Sequence, residues 1–359
     1  MKKCLITVLL LLLLPVSAQA VSVPEDLQQA LPRDAERLLP EEVNTGDLSF
    51  PEGVKKIIGD AAEAGRKLFR EQLQGNVKIL LVVLLCGALE AMQKGVGKEM
   101  GVHSLTIAGT LSVLLLTVGN IHSMLQLGME TVHSMNDFSK ILLPALAGAT
   151  AAAGAIGTAS MQQVTTVLLA NGLLRLIDGL LLPAVSLYIG VLAAASMLPQ
   201  SRLFTLAEYW KKGITWVLSI TLLTFTVYLS VVRVISGSVD SNAVKVTKAA
   251  IAGTIPVVGS ILSETAETVL AGAGMLKNTI GIFGMLAVLA ICMLPFLKLG
   301  LQYLLYKGTA ALSAVMGSAE LCKLIDGLGS AFGLILGMTG ACAVLLLVSI
   351  LSSISVVVP

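Results

Sequence analysis

The chain has 359 residues, 55% of them hydrophobic and only 13% charged, with a formal net charge of +2. Soluble proteins carry roughly 25% charged residues, and no basic patch here is large enough for nucleic acid. The sparse charges are also unevenly placed: 19 fall in residues 21–78 and 25 are spread over residues 79–359, a membrane density.

Lys2 and Lys3 precede an apolar run from Leu5 to Leu14, interrupted only by Thr7, followed by Pro15 and Ala18-Gln19-Ala20. A basic start, an apolar stretch too short to span a bilayer and a small-x-small site predict a signal peptide over residues 1–20. An uncleaved anchor is the alternative. Removal after Ala20 leaves an N-terminus outside the cytoplasm and an extracytoplasmic helical segment over residues 21–75. Pro24, Pro32, Pro40 and Pro51 keep the helices in its first half short. From Val54 the pattern changes, with Val54, Ile57, Ile58, Ala61, Leu68, Phe69 and Leu73 at three- and four-residue steps between charged positions. That spacing predicts an amphipathic helix lying on the membrane surface, on a partner, or over the outer ends of the spans.

Apolar runs then recur. Val77–Leu89 continues into the bilayer and ends at Glu90. Leu105–Leu127 and Ile141–Ala159 read as separate spans, with the acidic stretch Glu130–Asp137 as an outside loop between them. Val164–Leu198 is too long for one ordinary span and is interrupted by Arg175, Asp178 and Pro183. Ile214–Val232 carries Trp210 and Trp216 at one end, where interfacial aromatics belong. Ala249–Leu262, interrupted by Pro256, then Ile280–Leu297 and Leu324–Val358 complete the set. The expected fold is all-α, a polytopic integral membrane protein of about seven spans, six to eight, with a small extracytoplasmic helical segment. Lys94 and Lys98 then fall inside. Arg202, Lys211 and Lys212 belong inside too, which requires Val164–Leu198 to cross twice or re-enter; Arg233, Lys245 and Lys248 fall outside, against the positive-inside rule.

A faint internal echo divides the membrane region into halves, residues 76–200 and 201–359. Ile107-Ala108-Gly109-Thr110 recurs as Ile251-Ala252-Gly253-Thr254. Leu176-Ile177-Asp178-Gly179-Leu180 recurs as Leu324-Ile325-Asp326-Gly327-Leu328, and Leu143-Pro144 as Leu294-Pro295. Such halves are a habit of transporters, although short matches come easily in a Leu/Ala/Gly-rich sequence.

Two features stand out as candidate sites. Ala147, Ala151, Ala155 and Ala159, and Gly329, Gly333, Gly337 and Ala341, repeat at four and flatten one helix face each. Such stripes pack spans within one chain or against another membrane protein. The second feature is the intramembrane charges. Arg175 with Asp178, and Lys323 with Asp326, stand one helical turn apart and can pair along a helix. They form a polar seam, gate or partner contact, or they sit at span ends with Gly179 and Gly327 as helix breaks. Glu264 and Glu267 line a cavity or lie in a solvated loop. Cys86, Cys292, Cys322 and Cys342 stand singly and read as small buried hydrophobes, with a disulfide between two of them as the alternative.

Catalytic signatures are absent. Gly95-Val96-Gly97-Lys98 lacks the upstream glycine of a P-loop, there is no His-Glu-x-x-His or Gly-x-Ser-x-Gly, and His103, His122 and His133 are scattered. No catalytic residue, cofactor or metal is expected, and any energy must come from a partner or a gradient.

The layout, with the stretch Ile255-Pro256-Val257-Val258-Gly259, then Ser263-Glu264 and Asn278-Thr279-Ile280-Gly281, resembles the stage III sporulation protein AE family of endospore-forming bacteria. The resemblance implies a non-enzymatic membrane subunit of the mother-cell assembly that joins stage II sporulation protein Q from the forespore in a channel or feeding apparatus. Its implied partners are other stage III sporulation membrane proteins and a separate ATPase subunit, and its implied place is the mother-cell membrane around the forespore. The rival reading is a stand-alone secondary transporter with duplicated halves.

Overall fold

The computed structural model describes residues 23–40, 49–95, 99–198, 202–254, 259–316 and 319–354, and every regular element among them is helical. The signal-peptide residues and Ile255–Val258 lie outside this set. Two short helices come first, α1 (Glu25–Gln29) and α2 (Arg33–Glu36), with Pro24 and Pro32 at their N-caps. Proline suits the start of a helix, where its missing N–H would be unbonded anyway. Val23, Leu27, Ala35 and Leu38 tie this segment into the core.

Six long rods follow among the described residues. They are α3 (Phe50–Gly95), α4 (Glu99–Ala152), α5 (Ile156–Leu176) continued through a π turn (Ile177–Leu181) into α6 (Leu182–Met197), α7 (Leu203–Thr254), α8 (Gly259–Met316) and α9 (Ala319–Ile354). One half of a capping box starts α3: Glu52 Oε2 accepts from the Ser49 N–H at 3.3 Å, and also from the Ser49 hydroxyl at 2.7 Å. The helix then runs through Gly75 without a break, so the amphipathic segment and the first span are one element.

Several expected boundaries are corrected. Leu105–Leu127 and Ile141–Ala159 are not two spans separated by a loop, because α4 continues through Glu130–Asp137. There Thr131, Val132, Met135, Phe138, Ser139 and Leu142 are buried at helical spacing. The polar groups use the opposite face, where Gln126 donates to Glu130 at 2.8 Å and Lys140 to Asp137 at 2.7 Å. A charge cluster thus marks a solvent-facing stripe rather than a turn.

The chain reverses only after Ala152. Gly154 takes φ 95°, its N–H reaches the Ala151 carbonyl at 2.9 Å, and the Ala155 N–H reaches Thr150 at 3.1 Å. This is a Schellman ending, with glycine at the left-handed position. Consequently Ala147 and Ala151 end α4, whereas Ala155 lies in the turn and Ala159 in α5; the alanine stripe does not run along one helix.

Residues 156–197 form one rod and do not cross twice; the π turn lies just ahead of Pro183, whose ring cannot sit in a regular α-helical turn. The expected span Ala249–Leu262 falls partly outside the described residues, since α7 is described to Thr254 and α8 from Gly259.

The α8–α9 hairpin is the centre. Of the most apolar stretches, 61% in α8 and 56% in α9 are buried within the protein, against 22% in α3 and in α4. The outer helices therefore turn apolar side chains outward, as Val77, Leu81, Leu85 and Leu89 do on α3. Five helices among the described residues are long and apolar enough to cross a membrane.

Contacts also sort the rods by direction. Cys86 of α3 meets Gly109 of α4 beside Leu321 of α9, Leu192 of α6 meets Gly327, and Phe204 of α7 meets Lys323. The helix ends flanking residues 96–98, 199–201 and 317–318 thus gather at one end. At the other, Leu286 approaches Gly53, Leu142 approaches Gly284, and the Thr166 and Ser349 hydroxyls are 2.7 Å apart.

Candidate functional site: two aspartates between helices

Both aspartates of the repeated Leu-Ile-Asp-Gly-Leu find partners on another helix. Asp178, in the π turn, places Oδ2 3.3 Å from His133 Nε2 on α4. Its Oδ1 is buried without a hydrogen bond among the described residues. The pair opens on a cleft of about 760 Å³ lined by His122, Gln126, Glu130, Asp137 and Pro183. Asp326 accepts from Lys307 Nζ of α8 at 2.6 Å, and the same ammonium reaches the Asp326 carbonyl at 3.1 Å and Ser330 Oγ at 3.0 Å. Gly327, next in sequence, lets α6 approach: an added Cβ would lie 2.5 Å from Leu192 Cδ1, and the Tyr188 hydroxyl donates to the Gly327 carbonyl at 3.2 Å.

The expected pairs along single helices do not form. Arg175 is exposed and precedes the π turn, whose wider winding carries Asp178 away from it. Lys323 lies 5.2 Å from the Phe204 ring centroid, while Asp326 is taken by Lys307, whose three acceptors hold its ammonium in place. The Lys307–Asp326 side chains are 29% and 52% exposed, so this pair contributes about 1 kcal/mol at most. Gly179, unlike Gly327, has nothing near its missing Cβ. The two copies of the motif therefore do different work.

The glycine stripe is used within the chain. Gly329 faces Tyr306, Gly333 faces Tyr303 and Gly337 faces Leu218. Tyr306 is fully buried and meets Phe332 edge to face with centroids 4.9 Å apart. Cys86, Cys292, Cys322 and Cys342 are free thiols. Of the stretch quoted for the family resemblance, Gly259, Ser263 and Glu264 fall in the first turns of α8, and Ile255, Pro256, Val257 and Val258 lie outside the described residues; so do the side chains of Glu264 and Glu267. Among the described residues no three His, Cys, Asp or Glu side chains are grouped to hold a metal.

Sequence reading missed Lys307, Ser330, Tyr188 and His133. Lys307 had a signal: it is the only charge between Lys298 and Glu320 in a strongly apolar run.

Long apolar rods around a buried hairpin, with charges paired between helices, define an all-helical polytopic membrane protein. The family model for stage III sporulation protein AE matches residues 35–357, and the chain belongs to that family. Stage III sporulation protein AE of Bacillus subtilis (strain 168) is 24% identical over 264 residues, covering 72% of this chain and 66% of that relative, just under two thirds of its length. No solved structure matches.

Proposed function

We propose that this chain is a non-enzymatic membrane subunit of the mother-cell/forespore channel complex required during endospore formation. The observation that carries the reading is the family match across nearly the whole membrane region. The structure is compatible with it: the His133–Asp178 and Lys307–Asp326 contacts join helices to one another. The partners are other stage III sporulation membrane proteins, their separate ATPase and, indirectly, stage II sporulation protein Q. The cell membrane around the forespore is the proposed location.

Deleting the coding sequence in the native host is the test. Heat-resistant spore yield is expected to fall by orders of magnitude while vegetative growth is unchanged, with recovery on supplying the intact chain. Normal spore yield in the deletion strain would refute the role.

A further inference from the structure

One cavity remains unexplained by helix packing. At the end where the three sets of helix ends gather, a cleft of about 490 Å³ opens between α6, α7, α8 and α9, lined by Lys211, Lys307 and Lys323 from three different helices. Its volume is within the usual range for ligand sites, about 300–1,000 Å³.

The charges there do not balance. Lys307 is taken by Asp326 and Ser330. Lys211, half-buried, and Lys323 form no ion pair among the described residues, and Lys323 has only the Phe204 ring. Glu208 is the one further carboxylate on the wall, so the site keeps net positive charge. Against Asp326 and Glu208 the three ammonium groups leave an excess of one positive charge facing the cleft, and an anion bound there offsets it.

The surroundings indicate which anion. Leu206, Tyr209 and Trp210, on the same turns of α7, are exposed, and the Trp210 indole N–H donates to the Ala184 carbonyl at 3.0 Å. An amphipathic aromatic rim beside a basic cleft is the composition of a membrane–water boundary, and basic pockets between spans hold anionic headgroups.

We infer that this cleft binds a phosphate group, supplied by the phosphodiester of an anionic lipid headgroup, with Lys211 and Lys323 as its cationic contacts. Thr205 and Tyr188 complete the polar wall.

The test uses the full-length protein in neutral detergent, following its thermal unfolding on addition of phosphatidylglycerol, phosphatidylcholine or inorganic phosphate. Phosphatidylglycerol is expected to raise the midpoint and phosphatidylcholine to leave it unchanged. The double substitution Lys211→Gln with Lys323→Gln should weaken the apparent affinity for phosphatidylglycerol roughly 30-fold. The corresponding Lys→Arg pair should retain it, as should Lys212→Gln, whose ammonium points away over the Tyr209 ring at 5.7 Å. An equal shift with inorganic phosphate alone would keep the phosphate site and overturn the lipid as its source. No difference between the two lipids in the unsubstituted protein, or an undiminished difference in the Lys→Gln pair, would overturn the site.

Discussion

Replacing Gly333 or Gly329 with leucine is expected to destabilise the protein by about 3 kcal/mol or more and to lower its recovery from membranes sharply. A Cβ at position 333 would lie 3.0 Å from Tyr303 Cδ2, and one at 329 would lie 3.1 Å from Tyr306 Cβ and 3.5 Å from the Lys307 backbone nitrogen. The neighbours of Gly329 have no room to yield, and at Gly333 the half-buried Tyr303 ring would have to swing aside. Tyr306 is fully buried and braced by Phe332, and a backbone atom of α8 moves only if the helix moves. The rest of the leucine side chain would then have to separate α8 from α9, the most buried pair of rods. Gly190→Leu and Gly300→Leu are the matched controls, because nothing lies within 4 Å of either missing Cβ. Those changes should be neutral, or stabilising by up to about 1 kcal/mol through helix propensity. Thermal unfolding in detergent separates the cases. If Gly333→Leu melts with the controls yet loses a partner protein, the stripe serves a subunit contact and the α8–α9 packing described here is wrong.

The second large effect is all-or-none. In a chain freed of its native cysteines, single cysteines at Lys94, Arg202 and Glu320 should label from one side of the membrane. Cysteines at Lys56 and Gly154 should label from the other. The reason is parity: α4 is one rod and residues 156–197 are another, and the contacts between rods gather the ends at 95, 202 and 319 on one face. That arrangement also brings Arg202, Lys211 and Lys212 to the side of Lys94 without any double crossing, and the positive-inside rule makes that side cytoplasmic. An impermeant maleimide should therefore reach Lys94 and Arg202 positions only after permeabilisation of protoplasts. Opposite labelling of these two positions would contradict the six-rod arrangement.

Much of the fold is legible in the amino-acid sequence, for definite reasons. Charge density and repeated apolar runs exclude a soluble fold, and the proline positions place α1 and α2. Span limits were harder, because hydropathy measures how apolar a stretch is and not which way its side chains point. Glu130, His133 and Asp137 lower the average and suggest a loop. The buried Val132, Met135 and Leu142 beneath them keep α4 helical for 54 residues, about 80 Å at ~1.5 Å each. The hydrocarbon core is only about 30 Å thick, so one rod held two apparent spans. The alanine stripe failed for a local reason, the reversal at Gly154.

Of the candidate site, the aspartates were legible as costly intramembrane charges, but their partners were not. Spacing along one helix suggested Arg175 and Lys323, whereas tertiary packing brought His133 and Lys307, each from the preceding rod. The internal echo is likewise real as a match of letters and unequal in structure. Ile107–Thr110 lies near the start of α4, and its counterpart Ile251–Thr254 falls in the last described turn of α7.

A protein that acts by joining other membrane proteins should be recovered with them. The full-length chain, tagged and extracted in mild detergent from membranes of sporulating cells, is expected to bring down other stage III sporulation membrane proteins and their ATPase at constant ratio through successive purification steps. Recovery of the chain alone, together with solute uptake by that purified chain in liposomes, would contradict the subunit role and establish a transporter instead.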